Sequence, residues 1–199
     1  QPPRDVTHTP RPTLHRANMS SRNKKQTKFA DYVLSYQPGV PIAVIEAKEN
    51  NHTVSHGMQQ ALGYADILEV ASAISSNGDA FASHNKIPAD GEDIETQFPL
   101  DQFPPPQNLW QRYKTFRNIE DTPETLILEP YHVDSSGKEP RYYQVEAINR
   151  VVETVSKGQN RVLLVMATGT GKTYTTFQII WRLWKARAVK RVLFLVDRN

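Results

Sequence analysis

The chain has 199 residues, 38% apolar and 23% charged, with a net charge of +3. That is room for one ordinary domain, or for one domain and part of another. The absence of cysteine excludes disulfides, thiolate metal sites and a cysteine nucleophile. The longest apolar runs, near Val162–Ala167 and Val192–Val196, are too short to cross a bilayer, and no signal-peptide pattern opens the chain. It begins at Gln1 and stops at Asn199 directly after an apolar run, so it reads as a piece of something longer. Residues 1–30 hold seven Lys/Arg against one acid, residues 161–199 eight against one, and residues 31–160 nine against nineteen. Basic ends around an acidic centre fit nucleic-acid contact, and equally a solvated basic tail.

In chain order, residues 1–28 are polar and proline-bearing and read as irregular. Tyr32–Tyr36 and Ile42–Ala47 are strand-like and flank the turn Gln37-Pro38-Gly39-Val40, which predicts a hairpin. Residues 57–69 predict a helix with Met58, Ala61, Leu62, Ala65 and Leu68 on one stripe. Val70–Ile74 predicts a strand closed by the Asn77-Gly78 turn. From Ala82 to about Pro140 the pattern weakens through an acidic loop and the triple proline Pro104–Pro106. A linker over 99–140 is expected, with one short helix near Leu109–Phe116. From Arg141, the spacing of Tyr143, Ala147, Ile148, Val151, Val152 and Val155 predicts a helix stopped at Lys157-Gly158. Val162–Met166 and Val192–Val196 read as buried parallel strands around a helix over Thr173–Lys185, a βαβ unit.

The strongest motif is Ala167-Thr168-Gly169-Thr170-Gly171-Lys172-Thr173, between an apolar run and a helix. Glycines let backbone N–H groups converge on phosphate oxygens, and the helix that follows points its positive end at the anion. Lys172 is placed to reach the β/γ phosphates of ATP, and Thr173 to bind Mg²⁺ through its hydroxyl. The general phosphate-loop pattern has glycine where this chain has Met166. The form here resembles instead that of superfamily 2 helicases and DNA translocases. Arg141-Tyr142-Tyr143-Gln144 resembles the glutamine element that reads adenine in those motors; a Gln amide offers one donor and one acceptor. Leu193–Arg198 resembles the motif whose strand end approaches single-strand backbone.

A second constellation is Asp31 followed by Glu46-Ala47-Lys48. Residues two apart on a strand share a face, so Glu46 and Lys48 point the same way, and the hairpin brings Asp31 near them. Two carboxylates suit Mg²⁺, which activates a water and stabilises charge at a scissile phosphate; Lys48 can orient that water or the phosphate. This order resembles the PD-(D/E)xK nuclease superfamily. Gln60-Ala61-Leu62-Gly63-Tyr64 on the next helix matches the Q-x-x-x-Y motif of its RecB-like members; Gln60 and Tyr64 lie one turn apart. His52 and His56, four apart, lack a third ligand for a zinc site.

Three segments then occur in order: Ala43–Lys48, Met58–Ala65 and Ser75–Asp79. Together with Leu100–Pro104, Leu109-Trp110, Tyr113 and the phosphate loop, they resemble the restriction subunit of type I restriction–modification enzymes. The resemblance implies an α/β architecture in four parts: an irregular basic segment over 1–28, a RecB-like endonuclease domain with a mixed sheet over 29–98, the linker over 99–140, and the start of a RecA-like motor lobe with a parallel sheet over 141–199. It implies ATP-driven translocation of duplex DNA and Mg²⁺-dependent cleavage in the cytoplasm, with methyltransferase and specificity subunits as partners and no membrane. By matched position, Asp31 and Glu46 would be metal ligands, Lys48 the catalytic lysine, and Gln60 and Tyr64 supporting residues. Arg141, Gln144 and Thr168–Thr173 would bind ATP–Mg²⁺. Family members usually carry an acidic residue on a helix upstream of the Asp, and residues 1–28 show no such helix. Two alternatives remain: another helicase–nuclease fusion, of type III or repair kind, or a non-cleaving translocase whose first domain docks partners.

Overall fold

The computed structural model describes residues 7–10, 13–15, 27–119, 123–135, 137 and 139–196. They fall into two compact units, Gln1–Glu120 and Asp121–Asn199.

The first unit is built on a six-stranded mixed sheet. Its strands, in chain order, are β1 (Thr7–Pro10), β4 (Tyr32–Gln37), β5 (Val40–Ala47), β6 (Ser72–Ser76), β7 (Ala80–Asn85) and β8 (Glu95–Pro99), and they neighbour one another in that same order. A separate pair joins β2 (Thr13–His15) to β3 (Thr27–Phe29). The expected hairpin is β4–β5: Gly39 takes φ 81°, the left-handed conformation the tight turn needs. The expected helix is α1 (Met58–Leu68), and it carries the chain across to β6, the one strand that runs parallel to its neighbour β5. All other pairings are antiparallel.

Several expectations are corrected. The buried side of α1 is Met58, Ala61, Tyr64 and Ala65; Leu62 and Leu68 are only half-buried. The following strand starts at Ser72, not Val70. Glu69 ends the helix at φ 50°, and the Val70 amide is spent on the Ala65 carbonyl, so the ladder begins two residues later. Two strands went unread. β7 has only Ala80, Phe81 and Ala82 as apolar residues, and β8 is largely exposed, so neither shows the apolar run or alternation that marks a buried strand. Part of the polar N-terminal segment also joins the sheet, since β1 pairs with the open edge of β4.

Residues 99–117, expected as linker, belong to the first unit. α2 (Pro106–Arg117) opens on a proline at its first position and buries Leu109, Trp110 and Tyr113. Trp110 stacks on Tyr36 of β4 with ring centroids 4.7 Å apart. Strand alternation separates two faces. Glu46 and Ser75 face α1, while Leu34, Ile45 and Phe81 face α2 and line an apolar pocket of about 300 Å³ with Phe103 and Leu109.

The second unit packs α3 (Glu124–Ile127), α4 (Tyr142–Ser156) and α5 (Lys172–Lys185). Two buried polar side chains on α5 hold it together. Gln178 donates to the His132 carbonyl and accepts from the His132 amide, both at 2.8 Å. Arg182, 1% exposed, donates to Asn149 Oδ1 at 2.8 Å and to the Ile127 carbonyl at 2.5 Å, and lies over the Tyr131 ring. Burial pushes the Tyr131 hydroxyl up to about 12.

The βαβ expectation is corrected here. Val162–Met166 and Val192–Val196 form no ladder among the described residues. Leu163, Val165, Leu193 and Leu195 are each at least 80% exposed, whereas Leu164 is 38% exposed. The alternation is that of an extended segment covered on one side. A parallel strand needs a neighbour on its hydrogen-bonding edge, and neither segment has one among the described residues. Asp197 and Arg198 lie outside the described residues.

Candidate functional site

On the α1 face of the sheet, one hydrogen-bonded chain collects four of the five residues expected at the first site. Lys48 Nζ donates to Glu46 Oε1 at 2.6 Å and to Gln60 Oε1 at 3.0 Å, and Gln60 Nε2 donates to Tyr64 OH at 2.8 Å. The spacing explains the meeting. Glu46 and Lys48 share a face at the end of β5, and Gln60 and Tyr64 share a face of α1 one turn apart. Asp31, just before β4, is tied to the same strand end by accepting the Ala47 amide at Oδ2, 3.0 Å. It is close enough to act electrostatically on Glu46.

Glu46 is the most constrained member. It is 3% exposed, and its Oε2 is buried without a hydrogen-bond partner. Burial raises its pKa above the usual glutamate value; the Lys48 hydrogen bond opposes that, and the Asp31 charge adds to it. A buried carboxylate oxygen left unpaired is costly unless something is meant to occupy it. With Asp31 beside it, the donor set is two carboxylates, the kind of oxygen ligand a hard divalent cation takes. The residues present fit such an ion.

Sequence reasoning missed what fixes the 49–57 loop between Lys48 and Gln60. Asn77 Nδ2 donates to the His52 carbonyl at 3.0 Å, Gln97 Nε2 donates to Ser55 Oγ at 3.3 Å, and the Gly57 amide donates to Ser75 Oγ at 3.1 Å. Ser75 and Asn77 lie in a segment already singled out, but nothing in their identity announces these contacts. The His52 and His56 rings stack with centroids 4.2 Å apart. Among the described residues no group of three or more His, Cys, Asp or Glu side chains is placed to hold a metal, at the His pair or around Asp31 and Glu46.

The second site surrounds the phosphate loop. Gly169 and Gly171 take φ 79° and 83°, and α5 begins at Lys172 with no side-chain cap. Thr168, Gly169, Lys172 and Thr173 are exposed, so the loop is open to a ligand. Thr170 Oγ1 donates to the Ala167 carbonyl at 2.6 Å, and Lys172 Nζ folds back to the same oxygen at 3.4 Å. Gln144 is 5% exposed and already engaged at both ends: Oε1 accepts the Arg141 amide at 2.9 Å, and Nε2 donates to the Thr170 carbonyl at 2.9 Å. Tyr143 OH reaches the same carbonyl at 3.3 Å, and Arg141 Nη1 reaches Tyr143 OH at 3.2 Å. The structure therefore ties Arg141, Tyr143 and Gln144 to the loop itself.

Comparison with known proteins shows what the chain is similar to. The chain is 53% identical over 176 residues to the EcoAI type I restriction enzyme endonuclease subunit of Escherichia coli, covering 88% of this chain and 22% of that protein. The chain is similar to the endonuclease subunits of type I restriction enzymes. The EcoKI endonuclease subunit of Escherichia coli K12 is 30% identical over 210 residues, with 86% of this chain and 18% of that protein covered. A solved fragment of an HsdR subunit of a type I restriction enzyme from Vibrio vulnificus YJ016 superposes with a TM-score of 0.70 at 41% identity, covering 94% of this chain and 34% of that one. Residues 137–199 match the family described as type III restriction enzyme, res subunit. The chain spans about a fifth of the length of the curated relatives it matches. No helix among the described residues is long and apolar enough to cross a membrane.

Proposed function

We propose that the first unit is a PD-(D/E)xK-type endonuclease and the second the opening of a RecA-like motor lobe, and that the protein they belong to translocates duplex DNA at the expense of ATP and cleaves it. The observation that carries the nuclease reading is the Lys48 ammonium held between Glu46 Oε1 and Gln60 Oε1, beside a buried Glu46 oxygen that has no hydrogen-bond partner. In this reading Asp31 and Glu46 hold Mg²⁺. Bound there, the ion would stabilise charge on the scissile phosphate and lower the pKa of a water. Lys48 carries a fixed positive charge at the same spot, where it meets the phosphate or orients the water. Gln60 presents its carbonyl oxygen to Lys48, and Tyr64 holds the Gln60 amide in that orientation, so the Q-x-x-x-Y pair sets the lysine.

At the loop, Lys172 would exchange its contact with Ala167 for the β/γ phosphates, Thr173 would offer its hydroxyl to the nucleotide's Mg²⁺, and Gly169 and Gly171 would leave the backbone open to phosphate. Gln144 and Arg141 would meet the adenine; each end of the Gln144 amide already makes one contact, and one N–H and one lone pair are left over for the base. Methyltransferase and specificity subunits are the expected partners and the cytoplasm the expected place. The type III match concerns 137–199, the motor segment, and does not argue against an N-terminal nuclease. The test is plasmid cleavage by the full-length protein with Mg²⁺ and ATP, wild type against Glu46→Gln. Equal cutting removes the nuclease reading and leaves the docking-domain alternative.

A further inference from the structure

We propose that Gly57 and Ser75 are positioning residues for the Glu46 carboxylate, and through α1 for the Gln60–Lys48 contact. The proposal rests on the nuclease reading above and adds residues that no motif marks.

Gly57 has φ −84° and ψ −3°, a helical conformation open to any residue. Its lack of a side chain is therefore not a backbone requirement. Proximity explains it. A Cβ at this position would stand 2.9 Å from Glu46 Cγ, 2.9 Å from Ser75 Oγ and 3.3 Å from Glu46 Cβ. Neither Glu46 atom is the free end of a flexible chain, so the glutamate or the helix start would have to move. The backbone at Gly57 forms one wall of the space that holds the glutamate.

Ser75 makes that wall firm. Glu46 and Ser75 are partners in the parallel β5–β6 ladder, so they lie side by side on one face of the sheet. Ser75 is fully buried, and its Oγ accepts the Gly57 amide at 3.1 Å. The serine thus fastens the residue before α1 to the strand beside Glu46. One consequence falls on the carboxylate: Lys48 holds Oε1, the Gly57 wall restricts the stem, and Oε2 is left buried and unpaired. The other falls on α1, whose first turn carries Gln60 to 3.0 Å from Lys48 Nζ. Groups that orient a ligand without touching the metal commonly change its affinity by roughly 10- to 100-fold.

The experiment uses the full-length protein without nucleotide, so that the phosphate loop takes no metal. Mn²⁺ binding is followed by calorimetry or by loss of the free-ion paramagnetic signal, and DNA cleavage and ATP hydrolysis are measured alongside. Gly57→Ala should weaken Mn²⁺ binding by roughly 10-fold or more and slow cleavage, with ATP hydrolysis unchanged. Ser75→Ala adds no bulk and should weaken binding less. In the double variant the alanine methyl no longer meets the serine hydroxyl, so the loss should be smaller than the product of the two single losses. Wild-type Mn²⁺ affinity in either single variant overturns the proposal, as does a double variant whose loss equals the product. Should Gly57→Ala fail to fold, Ser75→Ala alone decides. Glu46→Gln separates the two layers: if it still cleaves, the nuclease reading fails; if it is dead while Gly57→Ala and Ser75→Ala bind metal as wild type, only the positioning role fails.

Discussion

Replacing Lys48 by methionine keeps the aliphatic stem and removes the ammonium. In the wild type, that ammonium is 2.6 Å from Glu46 Oε1, with side-chain exposures of 24% for Lys48 and 3% for Glu46. The other glutamate oxygen already lacks a partner. The variant therefore leaves a buried carboxylate without its cation. Removing one member of a fully buried pair costs ~3–5 kcal/mol. Lys48 is about a quarter in water, which screens the pair, so the cost here is about 2 kcal/mol, or several degrees in Tm. The pH dependence has a definite sign. The folded-state pKa of Glu46 is raised by burial first, against the lowering by Lys48, with Asp31 raising it further. Its neutral form is thus the favoured one in the fold, and stability present below the usual glutamate value is lost as pH rises through the raised one. The loss of Lys48 matters only where Glu46 is charged. Thermal unfolding of the 199-residue chain without metal should show the full penalty near pH 8 and little of it near pH 4. A penalty equal at both values would refute the reasoning, because it would mean the lysine acts by packing and not by charge.

Three further outcomes are expected. Gln144→Ala removes both the contact to Thr170 and the one to the Arg141 amide, so it should cost about 1 kcal/mol of stability. It should also weaken fluorescent-ATP binding several-fold, with a smaller effect on a bare triphosphate. Gly171→Ala should abolish nucleotide binding, since its φ is 83° and an added Cβ would stand 2.5 Å from Gln144 Nε2; equilibrium dialysis with ATP checks this. Gln178→Leu strands the His132 amide and carbonyl, each bonded at 2.8 Å, and should lower stability by about 2–3 kcal/mol in urea unfolding, with no change in the first unit.

Much of the site was legible because its parts are local. Glu46 and Lys48 obey the period of a strand, Gln60 and Tyr64 that of a helix, and Pro38-Gly39 fixes the turn between β4 and β5. What joins them is not local. Gly57 looks like any residue before a helix, and Ser75 like any small residue in a strand; their meaning lies in a ladder register between segments 29 residues apart. The strands β7 and β8 escaped notice because the buried Ser83 and Asn85 of β7 owe their burial to neighbours rather than to their own apolarity, and β8 is largely exposed. The opposite case is Val162–Met166 and Val192–Val196, which form no ladder among the described residues. Their composition says strand, but a strand is made by its partner, and composition does not say where the partner is. The donor and acceptor that suit Gln144 to adenine each already carry one contact, one to a helix start and one to the loop, and no local pattern announces either.

The most direct test of the two-site account separates the sites in one assembly. The full-length protein, with the methyltransferase and specificity partners proposed for it, is compared as wild type, Asp31→Ala and Lys172→Ala, with ATP hydrolysis and plasmid cleavage scored independently. The account predicts that Asp31→Ala hydrolyses ATP but does not cut, and that Lys172→Ala does neither. Cutting by Asp31→Ala at the wild-type rate would contradict it.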